Sequence, residues 1–356
     1  MKPCSLCIVV VLAFTSLFSA QELPKPTEGD YVVHNFHFRS GESLPDLRLH
    51  YATYGKPVKD ASGHVSNAVL IMHGTTGSGQ NFVNAQFAGV LFEPGELLDM
   101  NKYFIILPDA IGMGHSSKPS DGLHAHFPHY DYDDMVELQH TLVTDGLKVD
   151  HLRLVMGTSM GCMNSWVWLE TYPDFMDAAM PLACLPVQIA GRNRMMRDMV
   201  MDDIRNDPGY DNGDYTKQPA GMRYAMQIFL LMTSSPLQMQ KNYPTREQAD
   251  AFLEHWLDTR TPGMDPNDTL YAFDASRNYD PSPKLDQIKA PVMFVNSADD
   301  LINPPELGIA EREIKKVKRG KYVLLPITDQ TRGHGTHSLP AIWKQYLAEL
   351  LQESQR

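Results

Sequence analysis

The sequence predicts an α/β protein with a mostly parallel sheet, helices on both faces of the sheet, and a helical segment inserted between two sheet strands. Three observations support this. Short apolar runs recur along the chain, helical patterns lie between them, and this alternation stops from about residue 186 to residue 285. Because the runs are continuously apolar rather than alternating, we expect both faces of the sheet to be covered.

The predicted elements follow one another in regular order. The apolar runs begin at Ala68, Tyr103, Leu152, Ala178, Pro291 and Lys321. The helical patterns begin at Asp133, Asn164 and Leu339. These patterns divide the mature chain into a first core part, 21–185, a helical lid, 186–285, and a second core part, 286–356. The lid methionines 195, 196, 199 and 201 are predicted to line an ordinary helix interface, with a ligand channel as the alternative.

The first 20 residues have the pattern of a secretory signal peptide. Lys2 gives a basic start, an apolar run extends from Leu6 to Phe18, and the small residue Ala20 precedes the expected cleavage. A retained N-terminal anchor is the alternative. No later segment approaches the roughly 20 apolar residues that a membrane span needs. We therefore expect a secreted or periplasmic protein with no membrane span in its mature chain.

The charge and the cysteine content argue against a nucleic-acid-binding protein and against a disulfide-rich fold. The formal net charge is −12, with acidic and basic residues interspersed, which does not indicate a nucleic-acid-binding surface. Cleavage after residue 20 would leave Cys162 and Cys184 as the cysteines of the mature chain. Two cysteines cannot build a disulfide framework. Since both lie in apolar stretches, we predict buried free thiols, with a single bridge as the alternative.

Residues 154–162, LVMGTSMGC, contain a candidate nucleophile. Gly157 and Gly161 flank Ser159 in the G-x-S-x-G pattern of a nucleophile elbow, a strained turn between a strand and a helix. A predicted strand precedes Ser159 and a predicted helix follows it, as this turn requires. At the start of that helix, the backbone N–H of Met160 is expected to face an oxyanion.

A second oxyanion donor is expected from the loop after an earlier strand. That loop reads HGTTGSG from His73, which makes the N–H of Thr75 the candidate donor. A phosphate-binding glycine loop is the alternative, but these glycines do not follow the G-x-G-x-x-G spacing.

A serine nucleophile needs a histidine to accept its proton and a carboxylate to orient that histidine. Asp299 and Asp300 follow one predicted strand, while His334 and His337 follow the last one. We predict Asp299 and His334 as the triad members and keep Asp300 and His337 as reserves.

Two other polar clusters receive more ordinary interpretations. The histidines of HAHFPH, residues 124–129, are predicted to form a polar loop near the pocket rather than a metal site, because the loop contains a proline and no cysteine. Asp109 is predicted to cap backbone groups at the end of a strand. We expect no metal and no cofactor.

With these residues assembled, the chain resembles the homoserine O-acetyltransferase family of α/β-hydrolase-fold proteins. The segments that carry the resemblance are GTSMGCMNSWVW from Gly157, IRNDPGYDNGDY from Ile204, GMRYAMQIFLLMTSS from Gly221, FPHYDYDDMVELQHTLVTDGLKVDHL from Phe127, and SADDLINPPE from Ser297. The resemblance implies the α/β-hydrolase fold, the triad Ser159, Asp299 and His334, an acyl-serine intermediate and a homodimer.

The chain departs from that family where homoserine would bind. Gly335 stands where the transferases carry an Asp directly after the catalytic His, and Thr233 stands where their lid carries an Arg. Residues 111–121, IGMGHSSKPSD, replace their glycine-rich loop. Together with the signal peptide, these departures predict a secreted serine hydrolase that acts on an ester or related small acyl compound. An acyltransferase and a non-catalytic binding protein remain the alternatives.

Overall fold

The computed structural model describes residues 24–355, so the predicted signal peptide, 1–20, lies outside the described residues. Eight strands form one sheet, in the order β1-β2-β4-β3-β5-β6-β7-β8. They are β1 Thr27–His37, β2 Ser43–Tyr54, β3 Ala68–Met72, β4 Phe104–Pro108, β5 Leu154–Thr158, β6 Ala179–Leu182, β7 Val292–Ser297 and β8 Gly320–Leu325.

The six predicted strands, β3 to β8, pair in parallel. Every residue of β3, β4, β5, β6 and β7 is buried, as continuous apolar runs predict. Three helices pack on one face, α2 Tyr132–Thr141, α3 Met160–Thr171 and α9 Ile309–Glu313. Two helices cover the other, α1 Ala88–Leu91 and α10 Pro340–Glu353. The predicted α/β class is confirmed.

The hairpin of β1 and β2 is absent from the sequence prediction. β1 pairs antiparallel with β2, and β2 pairs antiparallel with β4, so the hairpin extends one edge of the sheet. Most residues of β1 are exposed or partly buried, and Leu44, Leu47 and Leu49 of β2 are buried in one apolar cluster. Such a mixed polar pattern carries less signal than a continuous apolar run.

The segment predicted as a lid, 186–285, folds as helices between β6 and β7. They are α4 Gly191–Arg205, α5 Gly221–Thr233, α6 Pro236–Asn242, α7 Arg246–Arg260 and α8 Pro266–Asp274. An apolar cluster, which includes Met196 and Met201, joins α4, α5, α7 and α8. Met195 and Met199 are exposed. The prediction of a helix interface is therefore confirmed for Met196 and Met201 and is wrong for Met195 and Met199.

The expectation of free thiols at Cys162 and Cys184 is wrong, because the two residues form a disulfide. Their Cα atoms lie 5.8 Å apart, within the range that a bridge requires. The pairing of β5 with β6 brings Cys162, in the first turn of α3, beside Cys184, just after β6. Closing a loop of this size stabilises a fold by roughly 3 kcal/mol in the chain-entropy account. The bridge thus fixes α3 to the beginning of the lid segment.

The helices of the described residues do not meet the requirements for a membrane span. Among residues 24–355, no helix combines the length and the apolar character needed to cross a bilayer.

Candidate active site

Ser159 lies in a strained turn between β5 and α3. Its φ and ψ are 55° and −109°, a left-handed conformation that a non-glycine residue rarely adopts. A Cβ atom at Gly157 would overlap the carbonyl of Gly161, and one at Gly161 would overlap the carbonyl of Met72 in β3. Both glycines are therefore required by close backbone contact, which explains the G-x-S-x-G pattern physically.

A continuous chain of hydrogen bonds links the candidate nucleophile to a carboxylate. The Ser159 Oγ lies 2.8 Å from Nε2 of His334, and Nδ1 of His334 lies 2.9 Å from Oδ2 of Asp300. His334 and Asp300 are buried, with 5% and 1% of their surface exposed. A carboxylate on Nδ1 holds that proton in place and leaves Nε2 free to accept one from the serine hydroxyl.

The environment of Asp300 favours its ionised form. Burial raises the pKa of Asp300, but the neighbouring His334 and hydrogen bonds from Asn303 and Ile302 together hold it below its ordinary value. The Ile302 amide donates to Oδ1 at 2.8 Å, and the Asn303 side chain donates to Oδ2 at 2.9 Å. Asp300 is therefore an anion that can stabilise a positively charged imidazole.

The prediction that Asp299 orients His334 is wrong, because Asp300 and not Asp299 contacts the His334 ring. Oδ2 of Asp299 accepts from the Gly333 amide at 2.8 Å and from Ser235 Oγ at 3.1 Å, while Oδ1 accepts from Ser297 Oγ. Asp299 thus holds the backbone next to His334 and joins it to the start of α6. Adjacent residues after a strand point in different directions, so sequence alone could not separate Asp299 from Asp300.

His337, the reserve histidine, lies beside His334 without reaching Ser159. The two rings are 5.1 Å apart and meet edge to face. Burial and, next, the neighbouring His334 lower the pKa of His337 to about 3. His337 is therefore a neutral neighbour of His334.

The loop that contains Thr75 passes directly beside Ser159. A Cβ built at Gly74 would lie 3.3 Å from the Ser159 Cβ. Within residues 24–355 the Thr75 amide makes no hydrogen bond. Met160 begins α3, where backbone N–H groups have no partner inside the helix. Both predicted donors therefore remain candidates for binding an oxyanion.

Sequence reasoning missed the role of His73. Its Nδ1 donates to the Gly74 carbonyl at 2.8 Å, while its Nε2 accepts from the Ala110 amide at 3.0 Å. Complete burial lowers the pKa of His73, which keeps the ring neutral, as these two bonds require. The only sequence signal was the His-Gly pair at the end of β3. His73 ties the Thr75 loop to the loop after β4.

Asp109 caps that second loop, as predicted. Its two carboxylate oxygens accept from the amides of Gly79 and His115, at 2.7 and 2.8 Å. In the HAHFPH loop, the ring of His129 stacks on Tyr271. Among residues 24–355, no group of three or more His, Cys, Asp or Glu side chains is arranged to hold a metal ion.

Ser159 and His334 open into a cavity of about 390 Å³. Met163, Ala183, Cys184 and the chain leading into α4 line the cavity, together with residues 301–304, 307 and 309. Arg192 and Arg197 line the cavity, and no Asp or Glu among residues 24–355 does. A mostly apolar pocket with a few polar groups next to a nucleophile is the usual form of a small-molecule site.

Known proteins share this sequence pattern over most of the chain. The sequence profile of the alpha/beta hydrolase fold family matches residues 67–325. A homoserine O-acetyltransferase from Geotalea daltonii is 30% identical over 340 residues, which covers 84% of this chain and 90% of that protein. One from Methanohalophilus mahii is 30% identical over 312 residues, which covers 78% of this chain and 62% of that relative's length.

Solved structures share the fold. The acetyl esterase MekB superimposes with a TM-score of 0.79 at 24% identity, and the match covers 92% of this chain and 97% of that one. The profile match, the relatives and the sheet order agree with one another, and the chain therefore belongs to the alpha/beta hydrolase fold family, where it resembles the homoserine O-acetyltransferases.

Proposed function

We propose that this protein is a serine hydrolase that cleaves a carboxylic ester or a related acyl compound through an acyl-serine intermediate on Ser159. The observation that carries this proposal is the hydrogen-bonded series Ser159, His334 and Asp300 at one end of the cavity. A non-catalytic binding protein would have no need for a strained serine in contact with a buried histidine.

The geometry supports the usual order of events for such a triad. Ser159 Oγ attacks the ester carbonyl while its proton passes to Nε2 of His334, and Asp300 stabilises the resulting imidazolium. The amides of Met160 and Thr75 would hold the negative charge on the carbonyl oxygen. His334 then returns the proton to the leaving alcohol, and the acyl group stays on Ser159.

The second half of the reaction releases the acid. A water molecule gives its proton to His334 and attacks the acyl carbonyl, and His334 then protonates Oγ as the carboxylic acid departs. Transfer to an alcohol would follow the same steps with the alcohol in the place of water. The two reactions therefore differ in which acceptor the cavity holds.

The cavity favours water over homoserine as that acceptor. Homoserine carries an ammonium group, and burying this charge without a partner is costly. In the part of the chain that the structure describes, no Asp or Glu lines the cavity. Gly335 and Thr233 provide neither the carboxylate nor the guanidinium that the resembling transferases carry at those positions. The names of the sequence relatives favour the second candidate function, acyl transfer to homoserine.

One experiment separates the two functions. We expect acetate to be the main product from 4-nitrophenyl acetate and from any acetyl-CoA that reacts, whether or not millimolar homoserine is present. The measurement is acetate release, together with a search for O-acetylhomoserine by mass spectrometry. O-acetylhomoserine as the main product from acetyl-CoA would overturn hydrolysis and establish the transferase.

We further propose that residues 1–20 direct export and are removed. The disulfide between Cys162 and Cys184 supports this, since such bridges persist in oxidising compartments. The expected product in the periplasm or the medium begins at Gln21 and has no free thiol. N-terminal sequencing and thiol titration of the unfolded protein check both points. A cell-associated protein that retains residues 1–20 would contradict cleavage.

A further inference from the structure

The cavity beside Ser159 contains a buried positive charge that no acidic side chain of the described residues balances. Arg197, on α4, lines the cavity together with Ser159 and His334, and only 4% of its surface is exposed. None of the ion pairs formed among residues 24–355 includes Arg197. A buried charge without an opposite charge is unfavourable, so its retention in the cavity that contains Ser159 calls for a ligand.

The contacts of Arg197 fix its guanidinium without neutralising it. Nε donates to Asn193 Oδ1 at 3.0 Å, and Nη1 donates to Ser276 Oγ at 3.1 Å. The guanidinium also lies 5.6 Å from the ring centre of Phe273. Tyr132 is adjacent, but burial raises the pKa of its hydroxyl, so this neighbour is uncharged. A guanidinium has five N–H groups, so some remain for a ligand beyond these two bonds and the interaction with the Tyr132 hydroxyl.

The surrounding wall is also suited to an anion. Residues 190–193, at the beginning of α4, line the cavity, and the first turn of this 15-residue helix contains no acidic residue and no capping side-chain bond. Arg192 lies in that turn. Helix N-termini attract negative charge, so the helix acts in the same direction as Arg197.

We propose that Arg197 binds a carboxylate of the substrate, so that the preferred substrates are esters that carry a free carboxylate in either their acyl or their alcohol part. This inference rests on the proposed hydrolase function. A planar guanidinium, held by two of its own hydrogen bonds, can pair with a carboxylate through two parallel N–H···O bonds.

Two pairs of chromogenic or ultraviolet-detected esters test the proposal and show which part carries the charge. Mono-4-nitrophenyl glutarate and its methyl ester place the carboxylate, or its neutral equivalent, in the acyl part. 4-Acetoxybenzoate and its methyl ester place it in the alcohol part. For each pair, the measured quantity is kcat/KM of the anionic ester divided by kcat/KM of the neutral ester. In at least one pair, we expect this ratio to be about 30-fold lower in Arg197→Gln than in the wild-type protein, because the variant loses a hydrogen bond to a charged group.

The variants separate loss of charge from general damage. Arg197→Lys keeps the charge and is expected to retain a larger ratio than Arg197→Gln. Arg194→Gln, the matched control, removes an arginine of the same helix that pairs with Asp198 and does not line the cavity. It is expected to keep the wild-type ratio. In the wild-type protein, glutarate should inhibit competitively, whereas glutaramide should not.

The outcomes distinguish this inference from the function on which it rests. If neutral esters are still hydrolysed after Ser159→Ala, the proposed hydrolase mechanism fails. A different result overturns only the role of Arg197. In that case hydrolysis depends on Ser159, but the anionic-over-neutral ratio of kcat/KM does not fall in Arg197→Gln for either pair, and glutarate does not inhibit.

Discussion

Replacing Ser159 by alanine is expected to lower kcat on 4-nitrophenyl acetate by about 10⁵–10⁶-fold, the loss seen when a triad nucleophile is removed. The reason is chemical, because alanine has no atom that can form the acyl bond. The same variant should lose covalent labelling by a fluorophosphonate probe. Intact-mass spectrometry of the labelled protein measures this directly.

Ser165→Ala provides the matched control for this prediction. Ser165 is a buried residue of α3, the helix that follows Ser159, but its Oγ donates to the Gly161 carbonyl and not to His334. It should retain labelling and most of the activity. Labelling that persists at full level in Ser159→Ala would remove Ser159 from the mechanism.

The second large effect is expected from two adjacent carboxylates that behave differently. Asp300→Asn should lower kcat by about 10⁴-fold, because an amide at this position favours the wrong tautomer of the catalytic histidine. Asp299→Asn should act mainly on stability, with a loss of about 1–3 kcal/mol in the free energy of unfolding, because its carboxylate holds the Gly333 amide and Ser235.

Steady-state kinetics and urea unfolding of the two variants check this contrast. Asp300→Asn tests the expected fall in kcat, and Asp299→Asn is the matched control at the neighbouring residue. Both substitutions keep the size of the side chain. A larger kinetic loss in Asp299→Asn than in Asp300→Asn would show that the hydrogen-bonded arrangement in the structure is not the one used in the reaction.

The sequence predicts the parts of this fold that repeat a strong pattern. The parallel strands are continuous apolar runs, and the nucleophile turn has two glycines that the backbone contacts require, so both can be found without a structure. His334 follows from its place after the last strand. These features depend on local chemistry and on chain order alone.

The remaining features depend on distances that sequence does not contain. The choice between Asp299 and Asp300 depends on side-chain direction in one turn. The disulfide depends on the position of β6 beside β5, which brings together cysteines 22 residues apart. The role of Arg197 depends on which side chains surround its guanidinium, and α4 alone carries several other arginines.

The order of the proposed triad residues along the chain determines when they can come together during synthesis. Ser159 and His334, its proposed base, are 175 residues apart, with the whole helical lid between them. During synthesis, the nucleophile and the lid leave the ribosome before His334 has been made, and domains with such distant contacts complete their structure late. A nascent or truncated chain therefore carries a serine that is chemically inert. On the proposed mechanism, reactivity begins only when folding brings His334 to Ser159, so activity would report that this long-range contact has formed.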